Sequence, residues 1–118
     1  MFTEGQIVTV FRSRLRDDAY DKGYGPHADD ILALARTMPG FVDFKTFAAD
    51  DGERVSVIAF ADAASQQAWF RQADHRAAQK AGRTDYYAEY SIQVCTCTSA
   101  RSFTHIPEGG AATPPPGT

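Results

Sequence analysis

Two short strand-like runs joined by a glycine turn constrain the fold of this 118-residue chain more than any other feature. Residues 40–48 and 54–60 are rich in β-branched and aromatic residues, and each run divides into two sets that alternate between opposite faces, as in a β-strand. Asp50, Asp51 and Gly52 lie between the runs, and the glycine supplies the positive φ that a tight turn needs. The sequence therefore predicts an antiparallel hairpin at the centre of the chain.

Further strands and helices are predicted on both sides of this hairpin. Residues 6–15 and residues 86–98 have the composition of a first and a last strand. Residues 27–38 carry apolar side chains at helical spacing, and Pro39 ends that helix. A second helix begins after Asp62, whose carboxylate can accept hydrogen bonds from the free amides of a first helical turn.

The second helix carries the chain's only tryptophan, Trp69, and a histidine, His75. In one unbroken helix His75 would lie about 120° from the Trp69 stripe, and Arg76 would lie beneath the indole. Asp74 offers a different arrangement, because it can cap a second short helix that runs through residue 79. We therefore predict a break near Asp74 that turns His75 toward Trp69.

Trp69 and His75 are the candidate catalytic residues, and each has a simpler alternative role. A single tryptophan on a helix often only fills the core, because it buries a large area. A histidine at a helix start is often a surface or capping residue. Their joint occurrence beside a predicted helix break favours a shared site.

Candidate substrate-binding residues come from several elements. Tyr20 and Tyr24 lie in the irregular segment 17–26, where a lid could form. Tyr86 and Tyr87 point to opposite faces of a strand, so at most one of them lines a given cavity. Arg12 either reaches the pocket as an anion partner or lies at a solvated strand end. The predicted substrate-binding set is Arg12, Tyr20, Tyr24, Phe44, Arg76 and Tyr86.

Composition and charge exclude several classes of partner. The formal charge is −3 and the pI is near 5.5, with no cluster of basic residues, which argues against nucleic acid and anionic membranes as partners. We find no signal-peptide pattern and no apolar run long enough to span a bilayer, so we expect a cytoplasmic protein. Cys95 and Cys97 share one face of the last strand. Two thiols are fewer than the four ligands usual for structural zinc, so we expect both cysteines to be reduced and free of metal.

The element order β-α-β-β-α-β predicts a ferredoxin-like α+β fold, in which a four-stranded antiparallel sheet carries two helices on one face. Both faces of the predicted strands carry apolar residues, so the helix-free face needs a cover. A second copy of the chain is the simplest cover, and we expect a homodimer. Residues 1–101 form the predicted domain. Residues 102–118 are a tail rich in glycine, alanine and proline, expected to be disordered or draped over the partner chain.

Several of these features together resemble the antibiotic biosynthesis monooxygenase (ABM) family of dimeric α/β barrels. They are the run Met38-Pro39-Gly40-Phe41 before a strand, the Asp51-Gly52 hairpin, a helix with Trp69 followed by His75, and a last strand of the type YYAEYSIQV. The resemblance covers Ile7 to about Ser99. It implies pairing of two chains as a dimeric α/β barrel.

The resemblance also implies two functions. In the quinone-forming members an asparagine and a tryptophan orient an aromatic polyketide, which reacts with oxygen without metal or flavin. In the haem-degrading members an asparagine, a tryptophan and a histidine ligand form the site. Trp69 matches the tryptophan, but this chain contains no asparagine, so neither site is carried over intact.

Two functional hypotheses follow. One is a cofactor-independent monooxygenase-like oxidoreductase that acts on a small aromatic or phenolic substrate, with His75 as the base. The other is a haem-binding or haem-degrading protein with His75 as the axial ligand. A dimeric, non-catalytic ligand-binding protein, or a domain whose pocket is filled by its own side chains, is the alternative to both.

Overall fold

Four strands form one antiparallel sheet in the computed structural model, which describes residues 2–79 and 82–107. The strands are β1 (Ile7–Leu15), β2 (Phe41–Ala48), β3 (Arg54–Phe60) and β4 (Tyr87–Thr96). Their order in the sheet is β2-β3-β1-β4, and every neighbouring pair is antiparallel. This is the predicted ferredoxin-like α+β arrangement.

The helices are α1 (Tyr24–Thr37), α2 (Ala63–Gln79) and α3 (Gly82–Tyr86). The last is a short helix where the sequence predicted only a turn at residues 82–85, and because it includes Tyr86 the last strand begins at Tyr87. The predicted helix at residues 27–38 begins three residues too late. Pro26 falls in the first turn of α1, where a missing N–H costs no helical hydrogen bond, so the helix starts ahead of it.

The predicted break near Asp74 is wrong, because α2 is continuous from Ala63 to Gln79. Its start is as expected: the Asp62 carboxylate accepts a hydrogen bond from the Ser65 amide at 2.8 Å. Asp74 lies inside α2, where an aspartate weakens a helix only slightly. The helix contains no glycine or proline that would break it. The buried residues Trp69 and Ala73 hold the middle of the helix against the core, so nothing interrupts it.

The core lies between the helices and one face of the sheet. It joins Leu34 and Ala35 of α1, Ile58 and Phe60 of β3, and Trp69 and Ala73 of α2. In the β1–β3 register Thr9 faces Ile58 and Phe11 faces Ser56. These residues therefore share the helix-covered side of the sheet.

The opposite sheet face carries no helix. Val10 lies beside Val57, and Val55 lies beside Phe47, whose side chain is 48% exposed. The cysteines belong to this region: Cys95 pairs with Val8 and is exposed, and both Cys95 and Cys97 are free thiols. Among the described residues no cluster of three or more His, Cys, Asp or Glu is placed to hold a metal ion.

The chain end leaves the sheet after β4. Cys97 exchanges backbone hydrogen bonds with Gly5 and Gln6, at 2.8 and 2.9 Å, and the residues that follow up to 107 have no regular secondary structure. Phe103 is 86% exposed there. The rest of the predicted tail, residues 108–118, lies outside the described residues, and the boundary at residue 101 stays a prediction. No helix in the described ranges is long and apolar enough to cross a membrane.

Candidate functional site

Trp69 is the side chain around which the site is built. It is only 5% exposed, and its ring stacks on Phe60 with centroids 5.6 Å apart. Phe44 meets it edge-on from β2, at 6.2 Å. The indole N–H finds no acceptor among the described residues. Trp69 therefore fills the core and also presents an unused donor next to the space described below.

A cavity of about 300 Å³ lies between the two long helices and the sheet. Its walls are largely aromatic and aliphatic, which suits a ring system better than a sugar or a phosphate. The aromatic side chains that line it are Phe11, Tyr24, Phe44, Trp69, Phe70, Tyr87 and Tyr90. Hydroxyl groups of Thr9, Thr46 and Ser56 lie on its sheet side.

Tyrosines from three elements pack together at one end of this cavity. The Tyr24 ring lies 6.1 Å from that of Tyr87 and 5.7 Å from that of Tyr86, in edge-to-face contacts. Burial raises the pKa of Tyr24, and its proximity to Arg54 partly opposes this change. Burial, and then its interaction with Tyr24, raises the pKa of Tyr87 still further. Both phenols are therefore neutral donors at physiological pH.

Arg54 is the basic residue of the cavity wall. It is the first residue of β3, on the same sheet face as Ser56 and Ile58, and its guanidinium carbon lies 6.0 Å from the centre of the Tyr24 ring. Its Nε is buried and has no hydrogen-bond acceptor among the described residues. A positive charge thus lies beside the tyrosine end of the cavity.

The imidazole that lines the cavity is that of His27. This residue lies in the first turns of α1, is 5% exposed, and packs its ring 5.1 Å from that of Tyr86. The residues Asp29 and Asp74 also line the cavity from the helix side, and both are exposed. The site therefore combines an aromatic pocket with a histidine, an arginine and two carboxylates.

Three of the predicted site residues meet at this cavity: Trp69, Tyr24 and Phe44. Tyr86 is close but does not line the space, because it ends α3 and packs behind Tyr24. Tyr20 is 61% exposed, does not line the cavity, and packs edge-to-face against Tyr24 with ring centroids 5.4 Å apart. Three of the eight residues predicted for the site therefore line this cavity, and they come from α1, β2 and α2.

The structure places the other predicted residues away from the cavity lining. Arg12 lies on the helix-free side of the sheet, where it pairs with Glu53 at 2.6 Å. Arg76 bridges the helices through Asp30 at 2.9 Å. His75 is exposed on α2 and is not part of the lining, because the helix is unbroken and carries it away from the Trp69 stripe. Its role as base or haem ligand stays a prediction.

His27, Arg54 and Tyr87 line the cavity but are not among the site residues predicted from the sequence. Arg54 could have been found, because strand alternation puts it on the same face as Ile58. His27 was placed at the edge of a predicted helix that in fact starts earlier. Tyr87 was considered beside Tyr86, and the unforeseen α3 decides which of the two lines the cavity.

Comparisons with known proteins support the fold. No protein-family model matches the sequence. The uncharacterized protein YqjZ of Bacillus subtilis is 29% identical over 83 residues, which are 70% of this chain and 73% of that protein. Its name assigns no activity, so this relative adds a sequence connection without a function.

Solved structures share the architecture. A variant of SnoaB, a cofactor-independent oxygenase from Streptomyces nogalater, superposes with a TM-score of 0.64 at 16% identity, over 84% of this chain and 96% of that one. A Nitrosomonas europaea protein provisionally named an antibiotic biosynthesis monooxygenase gives a TM-score of 0.64 at 15% identity, over 81% of this chain and 93% of that one. Rv0793 from Mycobacterium tuberculosis gives a TM-score of 0.67 at 16% identity, over 82% of this chain and 99% of that one. The resemblance to the antibiotic biosynthesis monooxygenases is thus confirmed at the level of the fold.

Proposed function

We propose that this chain is a monooxygenase-like oxidoreductase that oxidises a small aromatic, phenolic substrate without an added cofactor. The observation that carries the proposal is the cavity of about 300 Å³ beside Trp69, lined in large part by aromatic rings on the helix-covered face of the sheet. The shared fold with a cofactor-independent oxygenase supports it. The fold alone does not assign a reaction, so the proposal depends on the cavity.

The proposed chemistry needs no external reductant. An anthrone-type phenol loses a proton to form an electron-rich anion, which transfers electrons to O₂. The ring CH₂ becomes a C=O group that carries one oxygen atom, and the second oxygen atom leaves as water with the two hydrogens. The substrate thus supplies all four electrons. The protein's part is to hold the ring, exclude bulk water and accept the first proton.

The proposed scheme requires a proton acceptor within reach of the bound substrate. The sequence pointed to His75, whose side chain is exposed outside the cavity lining. His27 is the buried imidazole that lines the cavity, and we propose it as the acceptor because a general base must come within hydrogen-bond reach of the proton. Matched variants at the two histidines distinguish these assignments.

We also propose that the chain is a homodimer that pairs through the helix-free sheet face. Val10, Val55 and Val57 form an apolar strip there, next to the half-exposed Phe47. A two-fold pairing would cover both strips at once. Sedimentation of the wild-type protein should give twice the chain mass of 12.9 kDa. The Val10→Lys variant should sediment as a monomer and should show by circular dichroism that it is folded. A wild-type monomer would contradict this.

Oxygen uptake is the test of the proposed activity. The purified protein, with no metal, flavin or reductant added, should consume oxygen with an anthrone-type phenol at a rate proportional to protein concentration and above the spontaneous rate. Each O₂ consumed should yield one quinone. A rate no higher than that of heat-denatured protein would contradict the proposal. An absorption spectrum of the purified protein tests the haem alternative, for which a Soret band lost in His75→Ala is the expected signature.

A further inference from the structure

Arg54 lines the cavity but forms no ion pair with an acidic residue in the described part of the chain, in contrast to four other arginines. Arg12, Arg14, Arg16 and Arg76 each hold a carboxylate oxygen within 3.4 Å. Arg54 makes no such ion pair among residues 2–79 and 82–107, although it lines an apolar, aromatic cavity. A cation in such surroundings is costly unless something compensates it.

The surroundings of Arg54 compensate it only weakly. Its guanidinium lies over the Tyr24 ring at 6.0 Å, a cation–π contact that contributes little compared with an ion pair. Its Nε is buried without an acceptor among the described residues. The Nε–H group of Arg54 is therefore a donor that an oxyanion in the cavity could accept from.

The tyrosines next to Arg54 add a second donor. Burial raises the pKa of both Tyr24 and Tyr87, so each phenol keeps its proton and can donate a hydrogen bond at neutral pH. A guanidinium and a neutral phenol thus lie side by side at one end of the cavity.

We propose that Arg54 and the Tyr24 hydroxyl together bind an anionic oxygen carried by the aromatic ligand, either a phenolate or an aryl carboxylate. This inference rests on the proposed function only in taking the cavity as the ligand site. The anionic end of the ligand lies at the sheet side, beside Arg54. The carboxylates of Asp29 and Asp74, which line the cavity from the helices, repel an anion and so favour this single orientation.

Binding of three naphthalenes at neutral pH, measured by calorimetry, tests the inference. The compound 2-naphthoate is a carboxylate, 4-nitro-1-naphthol is ionised as a phenolate, and 2-naphthol stays neutral. The wild-type protein should bind at least one ionised compound about tenfold or more tightly than 2-naphthol, the range expected for a charge-assisted hydrogen bond. The preferred anion identifies the carboxylate or the phenolate as the natural group.

Variants assign the preference to Arg54. Arg54→Met should abolish the preference for the ionised compound and leave the affinity for 2-naphthol within about twofold. Tyr24→Phe should reduce the preference for the ionised compound only partly, because it removes the hydroxyl donor but keeps the ring under the guanidinium. Arg71→Met, an exposed arginine on α2, is the control and should bind like the wild type. Thermal unfolding of each variant shows whether it is folded.

Two results would overturn the inference. One is a wild-type protein that binds the neutral and ionised compounds equally, or none of the three. The other is a folded Arg54→Met variant that keeps the wild-type preference. Because binding requires no turnover, a protein that binds the anions but consumes no oxygen would contradict the proposed oxidation alone.

Discussion

The guanidinium carbon of Arg54 lies 6.0 Å from the centre of the Tyr24 ring, at one end of the cavity. Among the described residues, Arg54 forms no ion pair with a carboxylate. The two residues come from the first position of β3 and the first position of α1. The hairpin and the helix start thus converge on one charged contact.

Stability should fall at alkaline pH because of Tyr24 and Tyr87. Burial raises the pKa of both in the folded protein, so the folded state keeps these protons after the unfolded chain releases them at about pH 10. Their contribution is complete below that pH and is lost as the pH rises toward the folded pKa values. Urea unfolding at increasing pH should show this loss. Tyr87→Phe should make the slope shallower, whereas Tyr20→Phe, at an exposed position, should not.

Substitutions at Trp69 should separate packing from ligand binding. Trp69→Ala removes the ring that stacks on Phe60 and should lower the free energy of unfolding by about 3 to 5 kcal/mol. Trp69→Phe keeps most of the packing but removes the indole N–H, so it should stay folded while ligand affinity changes. Equal ligand affinity in the wild type and Trp69→Phe would show that the indole N–H makes no contact with the ligand.

The two histidines should differ in their effect on oxygen uptake. His27→Gln should reduce the rate at least about tenfold, because an amide cannot accept the substrate proton, and general-base catalysis contributes at least that much. His75→Gln should leave the rate within about twofold, since the side chain is exposed and outside the cavity lining. The reverse pattern would restore His75 as the base and remove His27 from the mechanism.

Gly40 and Gly52 form a matched pair for testing the turn into β2. Both have positive φ, 80° and 90°, so alanine at either should cost about 1 to 2 kcal/mol from backbone strain. A Cβ at Gly40 would also collide with the Ser65 side chain, whereas one at Gly52 would meet open space. Gly40→Ala should therefore be clearly the more destabilised in urea unfolding. Equal losses would mean that Ser65 moves aside freely.

The strands were predictable because their signal is local. Alternation and the Gly52 turn set the bounds of β3 and nearly those of β2, and the position of Asp62 set the start of α2. The helix break failed because a capping preference at Asp74 is weaker than the burial of Trp69 and Ala73. A local preference loses when tertiary packing opposes it.

The site was only partly predictable, for a different reason. Trp69, Tyr24 and Phe44 were found because aromatic residues on predicted elements are conspicuous. Arg54 and His27 are far from Trp69 in the sequence. They line the same cavity as Trp69 only because the hairpin and α1 pack close together in the fold. The contact that defines the charged end of the cavity is long-range, and no local pattern indicates it.

A crystal structure with a bound product of the proposed reaction, 1,8-dihydroxyanthraquinone, would test the account most directly. The account predicts the ring system in the cavity against Trp69, with one of its oxygens within hydrogen-bond distance of Arg54 and the Tyr24 hydroxyl. Electron density for the ring at another surface, with the cavity closed by its own side chains, would contradict it.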